Sequence, residues 1–249
     1  MGRERVTPVP REAVTVVLLY PELLGTYGDG GNALVLAQRL RWRGRRADIV
    51  EVTAGEAVPE SGQIYLMGGG EDGPQALAAR ELIASRALHR AVEGGAALLA
   101  VCAGFQVVGR RFVGPDGEPH AGLGLLDCVT SRDAGARRVG EVVADPDPSV
   151  DVPRLTGYEN HQSVTALGPG VRPLGRVVVG AGNDTGDGSE GAVVDRVVGT
   201  YLHGPVLARN PALADHLLAS VVGDLEPLDD AEAEVLRKER LAAARRERR

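Results

Sequence analysis

The chain has 249 residues, a mass of 26.0 kDa and a formal charge of −6. That length suits one well-packed α/β domain and is short for two, and a composition that is 43% hydrophobic and 25% charged excludes a disordered protein. The acidic balance speaks against nucleic-acid binding, which needs a basic surface, and no apolar run reaches the roughly 18–20 residues of a membrane span, so no membrane insertion is expected.

Residues 1–12 are polar, lack a hydrophobic signal core and read as a flexible N-terminus of a cytoplasmic protein. Val14 to Tyr20 is a β-branched run expected to form a buried first strand. A loop from Gly25 to Asn32 leads into a helix from Ala33 to Trp42, followed by strands over Ala47 to Val52 and Ile64 to Met67. After Gly68-Gly-Gly70, Asp72 can cap a helix that has Pro74 in its first turn and runs to about Glu93. Ala96 to Cys102 reads as a fourth strand and Phe105 to Arg111 as the helix leaving it.

Strands alternating with helices predict a mostly parallel sheet with right-handed crossovers and flanking helices, a flavodoxin-like α/β fold. From Gly122 to Gly199 short strands are broken by Gly, Pro and Asp, which predicts an antiparallel extension of that domain. Pro211 to Val222 closes the domain as a helix, giving one unit over 13–224. The stretch 225–249 is a charged helix or tail, with seven Lys or Arg among its last thirteen residues; a solvated terminus or a docking segment both fit.

The sharpest chemical feature is Ala100-Val-Cys102-Ala-Gly104, where a strand hands over to a helix. Small residues around a central nucleophile permit a cramped strand–turn–helix elbow. The helix N-terminus behind it favours a thiolate and offers N–H groups to a developing oxyanion. A buried structural cysteine is the bland alternative. Two cysteines, Cys102 and Cys128, are too few for a disulfide scaffold and neither has metal-ligand spacing, so no metal or cofactor is expected. A cysteine nucleophile needs a base. Of five histidines, His89 and His216 fall in helical patterns and read as surface residues, while His120 sits in a turn-rich stretch. His203 ends a strand-like run and His161 follows Gly157-Tyr-Glu-Asn160; both remain candidates on spacing.

Val101-Cys-Ala-Gly-Phe-Gln106 together with Gly199-Thr-Tyr-Leu-His-Gly-Pro205 resembles the class I glutamine amidotransferases of the CobB/CobQ type. Tyr27-Gly-Asp-Gly-Gly-Asn32, Gly68-Gly-Gly-Glu-Asp72 with Gln75-Ala-Leu77, Gly122 to Asp127 and Gly157 to His161 make the chain more closely similar to the GatD glutaminase subunits, over nearly its whole length. The resemblance implies hydrolysis of L-glutamine, with Cys102 as nucleophile and His203 as base, and ammonia passed to a MurT-type ATP-dependent ligase that amidates the D-glutamate of lipid II. It further implies an oxyanion site from Gly69, Gly70 and Ala103, and a glutamine-binding arginine before a Gly-Asp or Gly-Glu pair. Alignment on Gly140-Glu141 puts that arginine at Arg137, with Arg138 the runner-up. Gln106, one turn into the elbow helix, is a further substrate-contact candidate.

Two positions depart from the superfamily. The elbow begins with Ala100 in place of glycine, and Pro205 stands where a carboxylate commonly follows the histidine by two residues. A Cys-His dyad, another acid such as Glu159, or a group from the partner would fill that gap. The Tyr27–Asn32 loop lacks the Gly-Lys-Ser/Thr ending of a P-loop, and no other segment looks fit for ATP, so a separate synthetase subunit is expected. The alternatives are a CobB/CobQ-like subunit serving another ligase, such as one for a corrinoid, a non-catalytic partner-binding module, and a thioesterase sharing only the elbow.

Overall fold

The computed structural model describes residues 13–26, 28–70, 72–114 and 117–247, with the side chains of Asp72, Arg245 and Glu247 left out. The expected flexible N-terminus at 1–12 and the capping side chain of Asp72 therefore lie outside the described residues. The first half alternates as β1 (Val14–Leu19), α1 (Gly31–Trp42), β2 (Ala47–Val52), β3 (Ile64–Met67), α2 (Asp72–Ser85), α3 (Ala87–Glu93), β4 (Ala97–Val101) and α4 (Ala103–Val108). The single helix expected from Asp72 to Glu93 is two, because Arg86 sits at φ +53° and breaks the backbone between them.

The second half supplies β5 (Arg111–Val113), β6 (Pro119–Ala121), β7 (Cys128–Arg132), β8 (Arg138–Pro146), β9 (Leu155–His161), β10 (Ser163–Leu167), β11 (Gly175–Val179), β12 (Ser189–Glu190), β13 (Ala192–Val194) and β14 (Val197–Thr200). Three helices close the chain: α5 (Val206–Arg209), α6 (Pro211–Val222) and α7 (Ala231–Glu247). The main sheet runs β13-β14-β4-β3-β1-β2, parallel throughout except for β13 at one edge. The antiparallel extension of the second half takes the form of two further four-stranded sheets, β10-β7-β5-β6 and β12-β11-β8-β9, antiparallel except where β5 pairs with β7.

The inner parallel strands β1, β3, β4 and β14 are rich in Val, Leu, Ile and Ala and almost wholly buried, as expected of a sheet covered by helices on each side, whereas the edge strand β2 is largely exposed. Strand order reverses between β1 and β3. In such sheets ligands bind outside the carboxyl ends of the strands near this reversal. The loop after β1, the glycine loop after β3, the turn after β4 and the segment after β14 all open at that end.

Candidate active site

Cys102 sits between β4 and α4 at φ +52°, ψ −107°, a backbone conformation that is strained for any residue but glycine. Surrounding structure over-determines it: the Cys102 N–H donates to the Thr200 carbonyl at 2.8 Å, its own carbonyl accepts from Gln106 at 3.0 Å, and Gly104 donates to the Gly68 carbonyl at 3.1 Å. Gly104 is obligatory, since a Cβ there would lie 2.8 Å from the Met67 Cβ. Ala100, by contrast, is fully buried with its methyl accommodated, so the departure from glycine at the start of the elbow leaves the turn intact.

His203 follows β14 and is buried. Its backbone is fixed by a two-way bridge to Tyr158, with N–H to carbonyl distances of 2.8 and 3.1 Å. On one side its side chain interacts electrostatically with Cys102. On the other, Nδ1 lies 3.0 Å from Oδ2 of Asp29, which is 2% exposed. Burial disfavours a charged imidazole, but the hydrogen bonds and charges of Asp29 and Cys102 outweigh it and hold the pKa of His203 up at about 10. The three side chains stand in the order that a nucleophile, a base and an orienting acid would need.

Asp29 is the candidate site residue that sequence reasoning missed. It lies in the Tyr27–Asn32 loop, already singled out, but as an isolated carboxylate among glycines it looks like a turn residue. The loop is locked to the histidine segment. A Cβ on Gly31 would come within 2.5 Å of Pro205 Cγ, and Asn32 Oδ1 accepts the Leu207 N–H. Glu159, considered as the acid at the sequence level, instead accepts the N–H groups of Ala181 and Gly182.

A pocket of about 50 Å³ opens beside the nucleophile, bounded by Cys102, Ala103, Gly70, Gln106 and Arg137 among others. Gly70 and Ala103 line this pocket, and Ala103 opens a helix, where backbone N–H groups have no intrahelical acceptor. Gly69, expected beside them, gives its N–H to Oδ2 of Asp29 at 2.8 Å and so holds the acid. Arg137 borders the pocket with its guanidinium braced on the side chain and carbonyl of Asn160. Arg138 is turned away into ion pairs with Asp133 and Asp184, at 2.9 and 2.6 Å. The Gln106 amide is held by neighbours: it accepts from Gln75 at 2.8 Å and donates to Ser163 at 2.9 Å and Tyr201 at 3.4 Å.

A larger surface groove, about 640 Å³, lies beyond Glu159 and is bordered by Glu141, Asp184 and the 177–181 stretch, with no nucleophile. Of the histidines read as surface residues, His89 and His216 are half-buried, and burial pushes the His216 pKa down. Among the described residues no three side chains form a metal-holding cluster, and no helix is long and apolar enough to cross a membrane.

Residues 15–211 match the CobB/CobQ-like glutamine amidotransferase domain. The chain is 34% identical over 233 residues to the lipid II isoglutaminyl synthase (glutamine-hydrolyzing) subunit GatD of Staphylococcus aureus, covering 91% of this chain and 93% of that one. It is 32% identical to the same subunit of Streptococcus pneumoniae, over 84% and 80% of the two chains. Cobyric acid synthase of Sphingopyxis alaskensis is 33% identical over 70% of this chain but only 35% of its own length. A crystal structure described as a glutamine amidotransferase shares the fold with a TM-score of 0.58 at 24% identity, over 84% of this chain and 99% of that one.

Proposed function

We propose, from the premise that this chain belongs to the CobB/CobQ-like glutamine amidotransferases and within them to the GatD subunits, that it hydrolyses L-glutamine at Cys102 and supplies the ammonia to a synthetase partner. The observation that carries the reading is the Asp29–His203–Cys102 line on a strained elbow. Similarity to GatD over nearly the full length of both chains, against about a third of the cobyric acid synthase, favours the lipid II branch over a corrinoid ligase. The partner is then a MurT-type ATP-dependent ligase, the acceptor is the D-glutamate of lipid II, and the site of action is the cytoplasm.

In this reading the Cys102 thiol gives its proton to His203 as its sulfur attacks the carboxamide carbon of glutamine, and the oxyanion is met by the N–H groups of Gly70 and Ala103. Arg137, whose fork suits a carboxylate, holds the α-carboxylate. His203, kept protonated by Asp29, gives its proton to the departing nitrogen as the C–N bond breaks, and ammonia leaves a γ-glutamyl thioester. Water then attacks the thioester, His203 takes its proton, the C–S bond breaks and glutamate departs. Asp29 fixes the imidazole by accepting from Nδ1, so that the other ring nitrogen serves sulfur, leaving group and water in turn. Gln106, with Gln75, Ser163 and Tyr201, shapes the pocket wall.

The test is glutamate release from L-glutamine by the purified chain, alone and with the ligase subunit, beside Cys102→Ala. Release that depends on Cys102 supports the glutaminase. No release in either setting would leave a binding module as the better account.

A further inference from the structure

Glu190 carries a fully buried carboxyl that the mechanism above leaves unused. It ends β12, and Gly191 after it, at φ +62°, lets the chain press against β14: a Cβ there would lie 2.4 Å from the Gly199 carbonyl oxygen. Oε1 of Glu190 accepts the Thr200 hydroxyl at 2.5 Å and the Tyr201 N–H at 3.0 Å. The Thr200 side-chain oxygen in turn accepts the Leu202 N–H at 3.0 Å. Thr200 also gives its carbonyl to the Cys102 N–H, and His203 follows three residues later. One carboxyl therefore orders the strand end from which both nucleophile and base are set.

Oε2 of Glu190 has no hydrogen-bond partner among the described residues. The charged group that bears on it is Glu159, a like charge. The Gly182 backbone sits against both: its N–H donates to Glu159 at 2.9 Å, and a Cβ on it would stand 3.2 Å from Oε2 of Glu190. Burial pushes the Glu190 pKa up to about 7, with Glu159 adding to the shift and the Thr200 and Tyr201 bonds opposing it. A glutamine could accept the same two bonds without a charge, whereas a carboxylate makes them stronger despite its desolvation.

We infer that Glu190 is a positioning residue for glutamine hydrolysis: by holding Thr200 and Tyr201 it sets the Cys102 backbone and the segment that carries His203. The hold is tightest when Glu190 is ionised. The inference rests on the glutaminase reading. Neither Glu190 nor Thr200 borders the Cys102 pocket, so their effect falls on turnover and not on the binding of glutamine.

The experiment measures kcat and KM for L-glutamine across pH in wild type and Glu190→Gln, together with the rate at which iodoacetamide alkylates Cys102, read by peptide mass. Cys128, whose thiol burial pushes up to about 12, serves as the silent reference. A titration of His203 common to both proteins cancels in the ratio of wild type to variant, which isolates Glu190. That ratio should rise from about one at about pH 5.5 to roughly tenfold at about pH 8.5, in kcat and in alkylation alike, with KM changed by less than about twofold. A ratio that stays flat across pH in either measure, or a loss confined to KM, would overturn the inference and leave Glu190 a packing residue. If Glu190→Gln does not fold, Thr200→Val and Thr200→Ser carry the test. A roughly tenfold loss of kcat in Thr200→Val, recovered in Thr200→Ser, then supports the inference, and no loss overturns it. Absence of Cys102-dependent glutamate release in wild type sinks the glutaminase reading by itself, and the alkylation ratio then decides whether Glu190 sets Cys102.

Discussion

The side-chain Oδ1 of Asn32 accepts the backbone N–H of Leu207 at 3.0 Å, and so ties the loop that carries Asp29 to the segment that carries His203. The acid and the base belong to crossovers at opposite ends of the chain, yet their carriers are joined by a buried hydrogen bond and by the contact of Gly31 with Pro205. Such a clamp sets the Asp29 carboxylate within hydrogen-bond reach of the His203 imidazole from within this chain.

Cys102→Ala or Cys102→Ser is expected to abolish glutamine-dependent amidation by the complex while leaving amidation driven by added ammonium. Both activities measured side by side decide the point; loss of both would make Cys102 structural.

Asp29→Asn is expected to lower kcat for glutamine by roughly 10²–10⁴-fold, the span of a positioned base. The pH dependence follows from the His203 pKa, which is raised. Protonation therefore favours the folded site fully below the ordinary histidine value of about 6.5, and that contribution is lost as pH rises through about 10. The alkaline fall in glutamine hydrolysis should move to lower pH in Asp29→Asn. A pH–rate profile with an unmoved alkaline limb would show that Asp29 does not act on His203.

Arg137→Ala is expected to raise KM for glutamine at least tenfold with a smaller change in kcat. Arg138→Ala should leave KM within about twofold, because its guanidinium is spent on Asp133 and Asp184. Steady-state kinetics on the two variants separate them, and the reverse pattern would transfer the carboxylate role to Arg138.

Arg39→Ala is expected to destabilise the fold by about 3 kcal/mol, read from urea denaturation. Arg39, 3% exposed, donates to Asp215 at 2.7 Å and to Asp230 at 2.8 Å, and so pins the start of α7 to α1 and α6. Removing the guanidinium leaves Asp230 without this partner and Asp215 with Arg43 alone. A loss under 0.5 kcal/mol would mean the tail is held by packing alone.

Much of the first half was legible because its hydrophobic runs follow a sheet buried on both faces, and Pro211 to Val222 was legible as a helix with proline in its first turn. Cys102 stood out because a nucleophile between small residues at a strand end has few other uses. Asp29 did not, because its meaning depends on a histidine 174 residues away. The break at Arg86 carried no glycine or proline to announce it. The separate sheets were hidden for a similar reason: β7 pairs with β10 and β8 with β11 across intervening strands, and such pairings leave no periodic trace in a single chain.

That separation of 174 residues between acid and base also has a temporal meaning. Ribosomes deliver Asp29 early and Cys102 midway, but β14 and His203 come only after both accessory sheets. Contacts so distant along the chain close late in folding, because their loop entropy must be met first. A chain that has not yet placed β14 lacks both the histidine and the Thr200 carbonyl that holds the Cys102 N–H, so neither nucleophile nor base is set until the polypeptide is nearly complete.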